Sequence, residues 1–152
     1  MKKTLLVFGL FLATTLSINA QDIADNSIGL RLGGNDGFGS EVTYQRKLED
    51  NNRLEINLGL RDSFNDVKLT GLYEWVWSLE NQFNWYAGAG AGIYDANKTS
   101  IFASGVVGVE YNFDIENDIP LLISLDYRPE IGITGSLDGL NSDFGLSVRY
   151  QF

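Results

Sequence analysis

The residues of this chain that could do chemistry are of few kinds. It contains no histidine and no cysteine. That excludes Ser-His-Asp triads, imidazole acid–base catalysis, His-ligated metals, thiolate zinc sites and disulfide scaffolds. What remains is a set of carboxylates and guanidinium groups, 20 acidic against 11 basic residues. A net charge of −9 argues against nucleic acid as a partner, because phosphate binding needs a basic face. The glycine-rich run from Ala87 to Gly92 could pass for a phosphate loop, but no Gly-Lys-Ser/Thr follows it and nothing there opens a helix. Asp36, Asp62, Asp66, Asp95, Asp138 and Asp143 fall in or beside predicted connections. Divalent cations bridging anionic lipid are one use for them; solvated turn acids are the default.

The spacing of the charges is more informative than their number. Arg31, Arg61, Lys68, Arg128 and Arg149 lie in segments of strict alternation, as do Glu41, Glu55, Glu74, Glu110 and Asp126. In each segment the charge shares a face with other polar or small residues, and the opposite face is apolar. Residues 53–61 are the clearest case: Leu54, Ile56, Leu58 and Leu60 oppose Glu55, Asn57, Gly59 and Arg61. Period-two alternation is the signature of a strand with two unlike faces. It recurs over residues 27–33, 40–48, 53–61, 67–77, 83–94, 101–113, 121–128 and 143–152. Short polar connections between such segments predict an antiparallel meander. Pro120 opens the seventh segment and Pro129 closes it, sparing the interior ladder. The expected fold is all-β, an eight-stranded antiparallel up-and-down barrel.

Such a barrel could hold its apolar face inside, as a soluble lipocalin-like carrier, or outside, against lipid. Two patterns favour the second, transmembrane arrangement. On the apolar face Tyr44, Tyr73, Trp75, Trp85, Tyr111 and Phe113 gather near one rim together with Tyr150 and Phe152, while Phe38, Tyr127 and Phe144 are expected toward the other. Aromatic rings at the rims of an aliphatic band match interfacial girdles. Five positive and five negative residues on the polar face also fit an interior in which each charge must find a partner. Inward Gly88, Gly90 and Gly92 would leave room for long side chains such as arginines, Tyr86 or Tyr94. No cofactor or metal site is expected, and no catalytic residues.

The first twenty residues read as an address. Lys2 and Lys3 precede an apolar stretch too short to span a bilayer, followed by Ser17-Ile18-Asn19-Ala20. The pattern is a signal peptide over residues 1–20, cleaved after Ala20. A short segment over residues 21–26 and a barrel domain over residues 27–152 complete the expected organisation.

The chain ends Val148-Arg149-Tyr150-Gln151-Phe152. A final amphipathic strand ending in Phe resembles the assembly signal of Gram-negative outer-membrane proteins. Leu125-Asp126-Tyr127-Arg128-Pro129-Glu130 resembles the penultimate-strand segment of their small barrels. The resemblance is to the small eight-stranded outer-membrane β-barrel family (OmpX/OmpA-barrel-like, in the porin superfamily). It implies localisation in the outer membrane and contact with outer-membrane lipid and lipopolysaccharide. Barrel-assembly machinery and periplasmic chaperones would be partners during biogenesis, with Tyr150 and Phe152 as the assembly signal, and the protein would be monomeric. The expected role is structural or surface recognition rather than catalysis, with a plugged polar lumen. A narrow outer-membrane pore and a periplasmic carrier of apolar ligands are the alternatives. Barrel enzymes of this architecture use a histidine, which this chain lacks.

Overall fold

The computed structural model describes residues 23–33, 39–61, 65–96, 98–113, 119–135 and 139–152, apart from the side chain of Arg61. The expected signal peptide lies outside the described residues, as do Asp36, Phe38, Asp62 and Asp138. Eight strands follow one another: β1 (Asn26–Gly33), β2 (Glu41–Glu49), β3 (Asn52–Arg61), β4 (Asp66–Glu80), β5 (Phe83–Asp95), β6 (Ser100–Asn112), β7 (Leu121–Thr134) and β8 (Leu140–Gln151). Each pairs antiparallel with the next, and β1 pairs with β8, so the sheet closes into a barrel with no free edge.

The stagger follows from the register. A path of directly opposed residues runs from Asn84 through Glu110, Ser124, Ser147, Arg31, Glu41, Gly59 and Lys68 and returns to β5 at Tyr94, ten residues from its start. A stagger of that size tilts the strands by about 40° and leaves a lumen only wide enough for side chains. We call the end where β1 begins and β8 finishes the lower mouth. Two of its hairpins are tight: Glu49 pairs with Asn52 and Glu80 with Phe83. Asn81 takes the left-handed backbone there, with φ of 48°, which asparagine tolerates better than most side chains.

The alternation places Leu, Ile and Val outside and Glu, Arg, Asn, Ser and Thr inside. Leu30, Val42, Leu58, Leu69, Val107, Leu125 and Val148 are exposed, whereas Thr43, Asn57, Thr70 and Ser147 are at most 1% exposed. The interior is not wholly polar: Leu72, Val76, Tyr86 and Val106 form a buried apolar cluster on the β4–β6 wall, with Phe102 and Leu122 also inward.

Two readings of the sequence need correction. The seventh strand does not end at Pro129 but continues to Thr134. Pro129 points outward, and its ring packs beside the position opposite, where Gly105 has no side chain. The β6–β7 ladder lapses there, between Ser104–Glu130 and Val107–Tyr127, because proline has no N–H to contribute. Ser104 Oγ, 3.3 Å from the Gly105 carbonyl and 3.5 Å from that of Pro129, donates into the gap. Second, Tyr127 and Phe144 face each other mid-strand, their ring centroids 4.8 Å apart, rather than at the upper rim. Among the described residues the aromatic band belongs to the lower mouth. There Tyr73 meets Trp75, Trp77 stacks on Trp85, Phe83 and Phe113 both meet Tyr111, and Tyr150 lies against Phe152. Tyr44 donates its hydroxyl proton to Asn26 at 2.7 Å in the same zone.

Candidate functional site

The charged groups converge in the lumen because strand parity turns them inward and the closed sheet brings opposite walls within reach. Nearest the upper mouth, Lys68 on β4 spans to Glu130 on β7 at 2.7 Å and approaches Glu41 at 4.0 Å. Below it, Arg31 on β1 holds Asp126 and Asp143, each at 2.6 Å, with Glu41 at 3.6 Å. Arg128 on β7 reaches Glu41 at 3.1 Å and Glu55 at 2.9 Å. Arg149 on β8 reaches the other oxygen of Glu55 at 2.9 Å. Toward the lower mouth, Arg53 on β3 is bound by Glu74 at 2.6 Å and Glu110 at 2.8 Å. All five cations are at least 94% buried.

Glu55 is the hub. Its two oxygens accept from Arg128, Arg149, Gln45 and Asn57 at 2.6–2.9 Å. Arg149 is held further by Thr43 and Ser124, whose hydroxyls accept at 3.2 and 2.7 Å. Because β3 and β7 are four strands apart in a ring of eight, the Arg128–Glu55 contact crosses the full diameter. Charge-assisted bonds of this length are the strong kind, and in a buried setting they hold their two walls at a fixed separation.

Nine of the ten charges singled out in the sequence therefore lie together in the lumen. The tenth, Arg61, pairs through its backbone with Asp66, and its side chain is outside the described residues. Three members were missed. Arg53 shares the parity of Glu55 but stands at the first turn of its strand. Glu130 follows Pro129, where the alternation alone predicts the strand end. Asp143 stands at the start of the eighth alternating segment, beside the predicted connection, but β8 begins three residues before it and turns its side chain inward. With these the described lumen holds five cations and seven carboxylates, not an equal number of each. Of the remaining loop acids, Asp95 accepts from Thr99 Oγ1 at 2.7 Å. Among the described residues no group of acidic side chains is arranged to hold a metal ion.

The space for these long side chains comes from glycines, but the fillers are neighbours on adjacent strands. A Cβ at Gly88 would meet Glu74, at Gly92 Phe102, at Gly108 Tyr86 and at Gly145 the Arg31 guanidinium. Two of these rings also meet cations: Arg53 lies 4.7 Å from the centroid of Tyr86 and Lys68 lies 5.2 Å from that of Phe102. Such contacts add to the ion pairs where water is excluded.

No family model matches the sequence, and no curated protein matches it. Solved structures do. Neisserial surface protein A superposes with a TM-score of 0.54 at 12% identity, over 84% of this chain and 94% of that one. Ail, the attachment invasion locus protein of Yersinia pestis, aligns over 84% of this chain and 96% of its own, at 15% identity and a TM-score of 0.49. The first of these likenesses establishes the fold, a closed eight-stranded antiparallel barrel of the kind found among small outer-membrane proteins.

Proposed function

We propose that this chain is a small integral outer-membrane barrel whose polar lumen is plugged by its own side chains, serving a structural or surface-recognition role and no catalytic one. The observation that carries the reading is the inversion of polarity. Leu, Ile, Val and aromatic side chains are exposed around the outer wall, while among the described residues twelve charged side chains are buried within. In water an outer wall of that character would be a large adhesive patch; in a bilayer it is the required lipid-facing surface. The same observation speaks against the carrier reading, since an apolar ligand would have to displace buried ion pairs. Crossing contacts at several heights argue against an open pore, because no continuous water column passes side chains bonded across the diameter.

Recognition would then fall to the connections at the upper mouth; the superposed neisserial protein is itself named as a surface protein. The lipid-facing band would contact outer-membrane lipid and lipopolysaccharide, the residue 1–20 segment would direct export, and Tyr150 and Phe152 would be read by the assembly machinery. Closure of the sheet leaves no edge to pair with a second copy, which favours a monomer. Cell fractionation combined with electrophoretic heat-modifiability tests the reading. The expected result is outer-membrane recovery and a mobility shift on boiling. Release by osmotic shock with no shift would overturn it.

A further inference from the structure

The lower mouth is crossed by a piece of the chain that belongs to no strand. Asn26 exchanges both backbone hydrogen bonds with Phe152, at 3.0 and 2.9 Å, and the Asp25 carbonyl accepts from the Lys47 N–H at 2.9 Å. The chain is thereby pinned to β8 and β2. Upstream of the pin it turns inward: Ile23 packs against the cluster of Leu72, Val76, Tyr86 and Val106. That cluster lies on the β4–β6 wall, and β5 is four strands from β1 in either direction. Ile23 can reach it only by spanning the mouth.

Above this strap lies a small chamber, with room for about one water molecule, walled by Ile23, Ala24, Arg53, Asn84, Glu110 and Gln151 among others. Arg53 Nη2, Asn84 Oδ1 and Gln151 Oε1 are buried there with no hydrogen-bond partner in the chain. Buried polar atoms in that condition are costly unless solvent or a solute satisfies them. An apolar side chain thus closes a compartment whose walls favour polar contents.

We propose that residues 23–25 act as a stopper for the lower mouth. Ile23 seals the chamber, and withdrawal of the strap admits water and small polar solutes to the Arg53–Glu110 pair. The inference concerns the barrel itself and holds whether or not the membrane reading does. Among the described residues the backbone of the strap is tethered at Asp25, next to the Asn26 pairing that begins β1, and its seal is one partly buried side chain, so residues 23–24 can leave without breaking the closed sheet.

The chain has no cysteine, so Asn84→Cys supplies a unique thiol in the chamber wall. In detergent micelles, its rate of modification by a charged methanethiosulfonate reagent reads the seal directly. The expected result is slow modification with Ile23 present, at least a tenfold acceleration in Ile23→Ser, and a return to the slow rate in Ile23→Leu. A thiol at Ser147→Cys, deeper in the lumen, should react equally slowly in all three backgrounds. Equal rates at Asn84→Cys whatever occupies position 23 would overturn the proposal, and so would acceleration at Ser147→Cys in step with it, which would mean general loosening. If Asn84→Cys does not fold, the unmodified chain decides. Nuclear Overhauser contacts between the Ile23 methyls and the side chains of Leu72, Val76, Tyr86 or Val106 support the stopper, and the absence of all of them overturns it.

Discussion

Replacing Glu55 by alanine should be among the most damaging single substitutions in the lumen. Glu55 is 1% exposed and joins two guanidinium groups. Once it is gone, Arg128 keeps Glu41 at 3.1 Å, but Arg149 is left with the two hydroxyls of Thr43 and Ser124 and no carboxylate. Leaving a buried cation without its partner costs about 3–5 kcal/mol, roughly two to four orders of magnitude in the unfolding equilibrium. At a urea dependence of about 2 kcal/mol per molar, that lowers the midpoint by roughly 1.5–2.5 M. Tryptophan fluorescence of the barrel in micelles or vesicles, with gel mobility as a second probe, measures it. Glu55→Gln keeps one acceptor oxygen, but it loses the charge and turns an NH2 toward donors that Glu55 now accepts from; it should fall between. Replacing Glu55 by Leu and Arg149 by Met together should cost less than Glu55→Ala alone, since the orphaned charge is removed. A loss below about 1 kcal/mol for Glu55→Ala, or a double variant worse than the sum of its singles, would refute the argument that the pair is buried and mutually dependent.

Adjacent residues on β3 should respond oppositely to polarity: Leu58→Arg should cost about 2–4 kcal/mol in vesicles if it lies near the midplane, whereas Asn57→Ser, inside and losing one bond to Glu55, should cost about 1 kcal/mol. Equal losses in a vesicle titration would count against a lipid-facing outer wall. Phe152→Ala should lower the amount of folded barrel in outer membranes while in vitro refolding stays near normal; the substitution is preferable to deletion because the backbone of Phe152 closes the sheet against Asn26. Unchanged membrane levels would speak against an assembly role. In planar bilayers the unmodified barrel should show no stable, large channel, and steady porin-like conductance would sink the plugged-lumen reading. Gly145→Ala should destabilise by about 1–3 kcal/mol, because the new methyl would displace the Arg31 guanidinium from Asp126 and Asp143; an unaltered urea midpoint would show that the network adjusts freely.

The faces of the strands were legible because the alternation is regular. Leu54 through Leu60 cannot be pleated without sending Glu55 and Asn57 to the other side. What the alternation could not supply was where each strand stops, and the missed site residues are the consequence. Arg53, Glu130 and Asp143 all sit within four residues of a strand end, or beyond a proline. Pro129 reads as a terminator in the sequence, but a proline facing outward opposite Gly105 interrupts one ladder and leaves the other intact, as its pairing with Ser142 records. Parity alone would have recovered Arg53 from Glu55. Which cation meets which carboxylate was out of reach, because that depends on the ten-residue stagger, and the stagger accumulates from eight separate registers.

The same stagger explains what ion pairs do here that an apolar filling would not. Buried pairs are a poor source of net stability, since well-packed apolar side chains often do as well or better. Their value lies in what they exclude. A one-residue slip of a strand exchanges its two faces completely. For β7 that would send Asp126, Arg128 and Glu130 to the outer wall and bring Leu125, Tyr127 and Pro129 inside. Against lipid, one outward arginine near the midplane costs about 2–4 kcal/mol, and each abandoned group would lose its shortest ion pair or one of two: Glu55 would keep only Arg149, while Glu41 and Lys68 would keep only the longer contacts of 3.6–4.0 Å. A slip by two residues keeps the faces but moves every charge by a full step along the axis, beyond contacts of 2.6–3.1 Å. An apolar lumen would resist neither shift so strongly, because one aliphatic side chain replaces another at little cost. The charged network thus opposes both slips, whereas the apolar cluster on the β4–β6 wall, where one aliphatic side chain can stand in for another, opposes neither so strongly.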